Sequence, residues 1–461
     1  MAKHQNDLGN DSVKGLLFKL AAPAIAAQLV NMLYNIVDRI YIGHIPNVGA
    51  AALTGVGVSM PIIMLISAFS ALIGMGGAPR ASIKMGQQDN EGASKILGNC
   101  LAALLVISAL LTVFFLIFGE QLLMMFGASE NTIEYAAQYM NIYVCGTVFV
   151  QLALGLNPFI STQGFATTSM MTVLIGALIN IVLDPILIFG FDMGVRGAAL
   201  ATIISQAVSA IWVLKFLFSK KSMLRLRKDI VRINPKIIFP VLALGVSPFI
   251  MQSTESLLNI VFNSSLQRYG GDIAVGSMTI LTSMMQLFML PVMGLTQGAQ
   301  PIIGYNFGAR NNERVKEAFK LLLTCSMAFV TIFWAAMMFF PQLFISLFTT
   351  DTLLINYTVW AVRIYLAGCI VMGAQLSCQQ TFIAIGQAKS SLFLALLRKI
   401  ILLIPLIYIL PLFLQNKVLG VYLAEPIADV IATSVTVIMF SIQFKKILKA
   451  NEFPEGREVL Q

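Results

Sequence analysis

Four oxygen-bearing side chains in apolar stretches of the first half of the chain could together bind a small cation: Asp38, Asn180, Asp184 and Thr202. Asn180 and Asp184 are four residues apart and share one helix face. Pro185 removes a backbone donor beside them and frees a carbonyl oxygen. Carboxylate, amide and carbonyl oxygens suit a hard cation, and a carboxylate in an apolar site can instead bind a proton. The alternative is that these groups only bridge membrane helices.

A polar stripe precedes Asp38 in the same apolar stretch. Gln28, Asn31 and Asn35 share its helix face at spacings of three and four residues. A carboxylate at the centre of a membrane helix costs about 2.5–3.5 kcal/mol on insertion scales, so an acid there is a functional candidate by default. Asp38 could also pair with its neighbour Arg39 at the membrane surface.

The second half of the chain carries acids of its own: Glu255, and Glu425 followed one helical turn later by Asp429. Two carboxylates at that spacing repel each other when both are charged, which makes a protonatable pair one interpretation. The other is a structural ion cluster, because Arg398 and Lys399 lie in a neighbouring apolar stretch and can neutralise the acids. The residue pattern leaves both open.

The elements that must position these side chains are membrane-spanning helices. Of the 461 residues, 58% are hydrophobic and 11% are charged, whereas a soluble domain carries roughly 25% charged residues. Apolar stretches of about 20 residues, enough to cross a bilayer, recur along the chain and predict an all-α integral membrane protein with about twelve spans. We place the spans at residues 15–42, 48–76, 96–118, 133–155, 165–190, 197–219, 237–266, 273–301, 317–340, 355–384, 390–413 and 418–444.

Three matches between the halves predict an internal duplication into two pseudo-symmetric six-helix lobes. The matching segments are 28–37 with 252–261, 76–79 with 298–301, and 195–201 with 418–424. Because each half has an even number of spans, both enter the membrane in the same direction, and a central cleft lies between the lobes. The predicted division is an N-terminal lobe 1–218, a cytoplasmic linker 219–236, a C-terminal lobe 237–446 and a cytoplasmic tail 447–461.

The distribution of charge predicts the orientation. The formal net charge is +9, and seven Lys and Arg residues fall in the linker 219–236. Basic residues gather in alternate connections, which predicts that both termini and the linker face the cytoplasm and argues against a nucleic-acid partner. Two histidines, His4 and His44, and five cysteines without metal spacing argue against an enzyme or a metal centre.

At this point the chain resembles the multidrug and toxic compound extrusion (MATE) family over essentially its whole length, and most resembles the bacterial MepA-like branch. The residues that carry the resemblance are Asn180-x-x-x-Asp184-Pro185 and Gly194-x-x-Gly197-Ala-Ala-x-Ala-Thr202. The resemblance implies lobes arranged as a V, in a bacterial inner membrane, that export small organic cations in exchange for Na⁺ or H⁺ by alternating access.

The resemblance also assigns roles to residues. Asp38, Asn180, Asp184 and Thr202 match the family's N-lobe cation site. No cofactor is expected beyond the coupling ion, and the expected partners are organic cations and the lipid bilayer, with the protein acting as a monomer.

Glu255 matches an acidic position in span seven that a different branch of the family uses together with an acid in span ten. In this chain span ten has glutamines, Gln375, Gln379 and Gln380, and no acid. This departure favours the N lobe as the coupling site, with Glu255 assisting or binding substrate.

The main alternative is a flippase for a lipid-linked precursor or a polysaccharide, which we expect to need a cationic cavity for phosphate. The charges inside the spans are mainly acidic here, with Arg398 and Lys399 as exceptions. A channel would need a pore-lining ring from symmetric subunits, and a membrane enzyme would need a nucleophile with its base or a metal set.

Overall fold

The computed structural model describes residues 6–452. Those residues are almost entirely helical and include no β-strand. Residues 1–5 and 453–461, which include most of the predicted tail, lie outside the described residues, whereas residues 447–452 continue the last helix. The helices are α1 (Val13–Gly43), α2 (Gly49–Gly86), α3 (Asn90–Met125), α4 (Ile133–Cys145), α5 (Thr147–Thr162), α6 (Ala166–Pro185), α7 (Val195–Phe218), α8 (Pro235–Gly308), α9 (Asn312–Phe339), α10 (Pro341–Ile345), α11 (Thr352–Tyr365), α12 (Met372–Ala384), α13 (Ala388–Leu396), α14 (Ile404–Phe413) and α15 (Lys417–Glu452).

Two of the predicted spans are bent. α4 and α5 meet at 59°, and α11 meets the segment Ala367–Ala384, which contains α12, at 40°. A residue in neither helix, Gly146, separates the first pair, and a 3₁₀ turn, Ala367–Val371, opens the second segment. Such tight turns are frequent connectors at helix ends. Each pair together is apolar and long enough to cross a membrane.

The longest helix, α8, contains two spans. Its 74 residues would extend roughly 110 Å at the usual rise per residue, against a hydrocarbon core of about 30 Å. Gly271 breaks the helix with φ 67° and ψ −162°, a backbone conformation open to glycine. The part before Gly271 and the part after it are therefore separate spans. With nine long apolar helices and two bent pairs in residues 6–452, this division confirms the expected twelve spans.

Buried apolar residues of the described chain form four clusters, and their membership defines the shape of the molecule. One cluster comes only from residues between 42 and 203, and another only from residues between 258 and 428. The other two join the halves, because Val241 packs with α2, α3 and α5, while Leu17 and Ala21 pack with α8, α9 and α15. Two lobes, N (α1–α7) and C (α8–α15), therefore touch at one end and separate at the other, as the two arms of a V.

The joined end of the V is closed by close approaches of backbone. Ser82 Oγ donates a buried hydrogen bond of 3.2 Å to the carbonyl oxygen of Pro301 in the other lobe. A Cβ at Gly76 would collide with the carbonyl oxygen of Val241, so only glycine lets α2 lie this close to α8. The basic linker 219–236 leads into α8 at this end.

Candidate functional site

Three helices of the N lobe bring the predicted cation-binding residues together. Asp184 and Asn180 lie on α6, and Asn180 Nδ2 donates to Asp184 Oδ1 at 3.3 Å and contacts Thr202 Oγ1 of α7 at 3.5 Å. Asp38 of α1 interacts directly with Asp184. All four residues are buried, from 0% exposure at Asp184 to 8% at Thr202. The geometry groups these residues as the sequence led us to expect, while their use in ion coupling stays a prediction.

The backbone beside Asp184 departs from an α-helix. α6 ends at Pro185, and the chain continues as a π-helical turn, Ile186–Gly190. Proline cannot donate to the preceding turn, and π turns inside helices occur frequently at functional sites. The irregular backbone predicted from Pro185 is therefore present.

Three oxygen atoms of this site are unsatisfied within the part of the chain that the structure describes. Asp38 Oδ1, Asn180 Oδ1 and Asp184 Oδ2 are buried, and none has a hydrogen-bond partner among the described residues. A buried polar atom without a partner is costly, as is a pair of close carboxylates. A bound cation or proton relieves both costs. Carboxylate, amide and hydroxyl oxygens are ligands that a hard cation takes.

Two tyrosines complete the site, and sequence reasoning missed both. Tyr34 of α1 and Tyr139 of α4 each lie within electrostatic range of Asp38, and Tyr139 also lies near Thr202. Tyr34 precedes Asp38 by four residues, so the spacing already in use for the polar stripe could have found it. Tyr139 is far from Asp38 in sequence, and only the packing of α4 brings it to the site.

The polar stripe on α1 plays a smaller part. Asn35 Nδ2 donates to the carbonyl oxygen of Asn31 at 2.6 Å, so its amide serves the helix backbone. Asn31 is exposed and Gln28 is half-buried. No ion pair within the described part of the chain joins Asp38 to Arg39. Arg39 affects Asp38 less strongly than burial and the neighbouring Asp184 do. A surface ion pair does not explain Asp38.

In the C lobe the acids are paired with bases. Arg398 Nε donates to Asp429 Oδ1 at 2.7 Å, and Arg398 Nη2 donates to Glu425 Oε1 at 2.9 Å. The acidic side chains are 0% and 6% exposed and the arginine 15%. Buried charges are tolerated when they are paired in this way. The geometry therefore supports the structural ion cluster over a free protonatable pair.

A second ion pair links α8 to the same region. Lys399 Nζ donates to Glu255 Oε1, and also to the carbonyl oxygen of Met251 at 2.6 Å. The lysine side chain is 5% exposed, whereas the glutamate side chain is 55% exposed. Lys399 also lines a small cavity with Gln375 and Gln379. The acid in span seven thus has a base from span eleven as its partner, in place of an acid in span ten.

Comparison with known protein sequences gives one family and consistent relatives. The sequence profile of the MatE family matches residues 23–186 and 248–409. The chain is 24% identical over 442 residues to "Multidrug export protein MepA" of Staphylococcus aureus (strain NCTC 8325 / PS 47), covering 95% of this chain and 96% of that protein. The protein of the same description from Staphylococcus haemolyticus (strain JCSC1435) is 25% identical over 399 residues, covering 87% of each chain.

Solved structures have the same fold. A structure described as "Crystal structure of MATE in the bent conformation" superposes with a TM-score of 0.90 at 23% identity, covering 97% of this chain and 98% of that chain. A second, "Outward-facing conformation of a multidrug resistance MATE family transporter of the MOP superfamily", has a TM-score of 0.88 at 24% identity, covering 96% and 98%.

Proposed function

Because this chain belongs to the MatE family of membrane multidrug transporters, we propose that it exports small organic cations in exchange for an inward flow of Na⁺ or H⁺. The proposal is supported above all by the N-lobe site, where Asp38 and Asp184 meet in a buried position and each has an oxygen without a partner among the described residues. Carboxylates in that state favour the uptake of a positive charge. Exchange follows if that charge is bound from one side of the membrane and released on the other.

The arrangement of the lobes corresponds to one of the two states of an alternating-access cycle. The lobes touch at the end where the basic linker 219–236 enters α8, and they separate at the other end. If basic connections face the cytoplasm, the cleft is open to the outside. Both termini then face the cytoplasm, and we place the protein as a monomer in the bacterial inner membrane.

The energy available depends on the charge of the cargo. One cation entering down a membrane potential of about 100 mV releases about 2.3 kcal/mol. That supports a roughly fifty-fold outward gradient of a neutral drug, because about 1.4 kcal/mol corresponds to a factor of ten. A monovalent organic cation leaving in exchange for one entering cation moves no net charge. The concentration gradient of the coupling ion must then drive export.

Charge in the C lobe argues against the flippase alternative. Arg398 and Lys399 are the basic residues expected to meet a phosphate group, and each is already paired with carboxylates. A phosphate would have to displace two acids from Arg398 and one from Lys399. The geometry therefore favours a cationic cargo.

Ethidium efflux from proteoliposomes tests the proposal. We expect an imposed inward Na⁺ or H⁺ gradient to drive ethidium out through the wild-type protein, and Asp184→Asn to abolish this while the purified variant keeps the elution profile of the wild type. Asn416→Asp, which adds a carboxylate in the α14–α15 connection, is a control for added charge and should transport normally. Gradient-driven efflux that survives Asp184→Asn would refute coupling through this site, and the absence of efflux under either gradient would refute the exporter.

A further inference from the structure

The two lobes place charged side chains on equivalent spans of the internal repeat, although not at equivalent residues. In the N lobe the site is built from α1, α6 and α7, the first, fifth and sixth spans. In the C lobe Glu255 lies on the first half of α8, Arg398 and Lys399 lie between α13 and α14, and Glu425 and Asp429 lie on α15. Those are the seventh, eleventh and twelfth spans. The C-lobe cluster therefore uses the spans that correspond to those of the N-lobe site, and among its residues Glu425 is the repeat equivalent of Thr202.

The two sites differ in how their carboxylates are satisfied. No ion pair within residues 6–452 involves Asp38 or Asp184. In the C lobe Arg398 contacts both Glu425 and Asp429. Basic side chains on the corresponding spans thus pair with the acids of the C lobe, whereas the acids of the N lobe have no basic partner among the described residues. In the C lobe Asp429 Oδ2 still lacks a hydrogen-bond partner among those residues.

Lys399 occupies a place that resembles an ion site. Its ammonium group contacts a carboxylate oxygen of Glu255 and a backbone carbonyl oxygen of Met251, the oxygen types that a hard cation takes. The lysine lies in a π-helical segment, Leu397–Leu403. The wider turn of this segment accompanies two adjacent basic residues that meet different partners, with Arg398 directed to α15 and Lys399 to α8.

We propose that Lys399 is a tethered cation that fills an oxygen-lined place on these C-lobe spans and so restricts coupling by a mobile monovalent cation to the N lobe. The inference rests on the proposed function, because it takes the N-lobe site as the coupling site. The cluster has three acids and two bases. Lys399 offsets Glu255, which is also half-exposed, and the single Arg398 serves both acids of α15. Removal of the ammonium would leave the Glu255 carboxylate and the Met251 carbonyl facing a mobile cation.

Counting the cations bound by the purified full-length protein tests this inference. Equilibrium dialysis against ²²Na⁺ is one probe. The other is the number of protons taken up between pH 8 and pH 5 in excess of the uptake by Asp184→Asn, because the two histidines titrate in every variant. We expect one site in the wild type, none in Asp184→Asn, and one restored site in the double variant Asp184→Asn/Lys399→Met. The matched control Asp184→Asn/Lys399→Arg keeps a tethered positive charge and should bind none.

The outcomes separate this inference from the proposed function. A folded Asp184→Asn/Lys399→Met protein that binds no ion would overturn the tethered-cation role and leave the N-lobe coupling site intact. A wild-type site that survives Asp184→Asn would instead contradict the proposed function. If the double variant does not fold, the number of ions bound by Asp184→Asn decides. An ion that Asp184→Asn still binds, and that is lost when Glu255→Gln is added, shows a C-lobe ion site that Lys399 does not block.

Discussion

Replacing Arg398 with methionine should destabilise the protein severely. Methionine keeps much of the length and apolar bulk of the arginine but leaves the acids on α15 without their base. The side chains of Glu425 and Asp429 are 6% and 0% exposed, so water cannot replace the lost contacts of 2.9 and 2.7 Å. Removing one partner of a buried ion pair typically costs about 3–5 kcal/mol.

The loss is large enough to measure by equilibrium unfolding of the purified protein in mixed micelles with increasing SDS. At about 1.4 kcal/mol per factor of ten, the unfolding equilibrium should shift toward the unfolded state by a factor of roughly a hundred to a few thousand. The triple variant Arg398→Met, Glu425→Gln and Asp429→Asn removes the uncompensated charges together with the base. It should recover most of the stability, because replacing a whole buried ion cluster with neutral groups is often close to neutral.

A shift below about 1 kcal/mol for Arg398→Met, the level of an exposed pair, would refute this reasoning. It would mean that the acids are protonated or solvated and do not depend on Arg398. Failure of the triple variant to recover would show that the arginine acts by packing and not by charge.

Three further predictions concern the N lobe. Asp38→Asn should reduce gradient-driven ethidium efflux in proteoliposomes to the level of empty liposomes without preventing folding, and normal efflux would exclude Asp38 from coupling. Gly76→Ala should lower the thermal unfolding temperature, because the added Cβ meets the carbonyl oxygen of Val241. Gly57→Ala should leave that temperature unchanged, because nothing lies within 4 Å of a Cβ at this position. Equal effects of the two substitutions would contradict the close approach of the helices at Gly76. Asp89 caps α3 through a hydrogen bond of 2.8 Å from a backbone N–H of the first turn, which holds the pKa of its carboxyl below its usual range. Such a cap stabilises the folded protein by about 0.5–2 kcal/mol; this stabilisation should be complete above the unfolded-state pKa of about 4 and disappear as the pH falls through the lower folded-state pKa. Asp89→Ala should therefore lower the stability measured by SDS unfolding at pH 7 but not at pH 2. A loss of stability that persists at pH 2 would contradict the capping role.

The spans and the duplication were predictable because short segments of the sequence identify both. Apolar stretches of the required length mark each span, and the matched segments around Gln28 and Gln252 mark the repeat. The break inside α8 at Gly271 was also predictable, because the two apolar stretches that α8 contains are together too long for one crossing of a bilayer. Local sequence did not reveal that α4 bends away from α5 by 59°, because no proline or charge marks the bend at Gly146.

The candidate site was predictable in part. Spacing on one helix identified Asn180 with Asp184, and polar side chains in apolar stretches identified Asp38 and Thr202. The family resemblance then grouped the four. Tyr139 could not be found this way, because it reaches the site from a helix distant in sequence. The sequence also left open whether the acids of the C lobe are free or paired. Pairing depends on how the segment Leu397–Leu403 turns its two basic residues, which side-chain periodicity of a regular helix does not predict.

The shape of the molecule follows from contacts across the repeat. Only the three-dimensional packing shows that Val241 belongs to the core of the N lobe while Leu17 belongs to that of the C lobe. These exchanges join the lobes at the end near the linker and leave the other end open. Small residues at the joined end, such as Gly76, are a visible sequence trace of this closure, although their partners are not.

The central claim is that ion movement and drug movement are coupled through Asp184, and reversed coupling tests it most directly. An ethidium gradient is imposed across proteoliposomes without any ion gradient, and Na⁺ or H⁺ flux is followed with an ion-sensitive dye. We predict that wild-type protein moves one of these ions against the direction of ethidium and that Asp184→Asn moves neither. Ion movement driven by ethidium in Asp184→Asn, or ethidium transport by the wild type with no ion movement at all, would contradict the account.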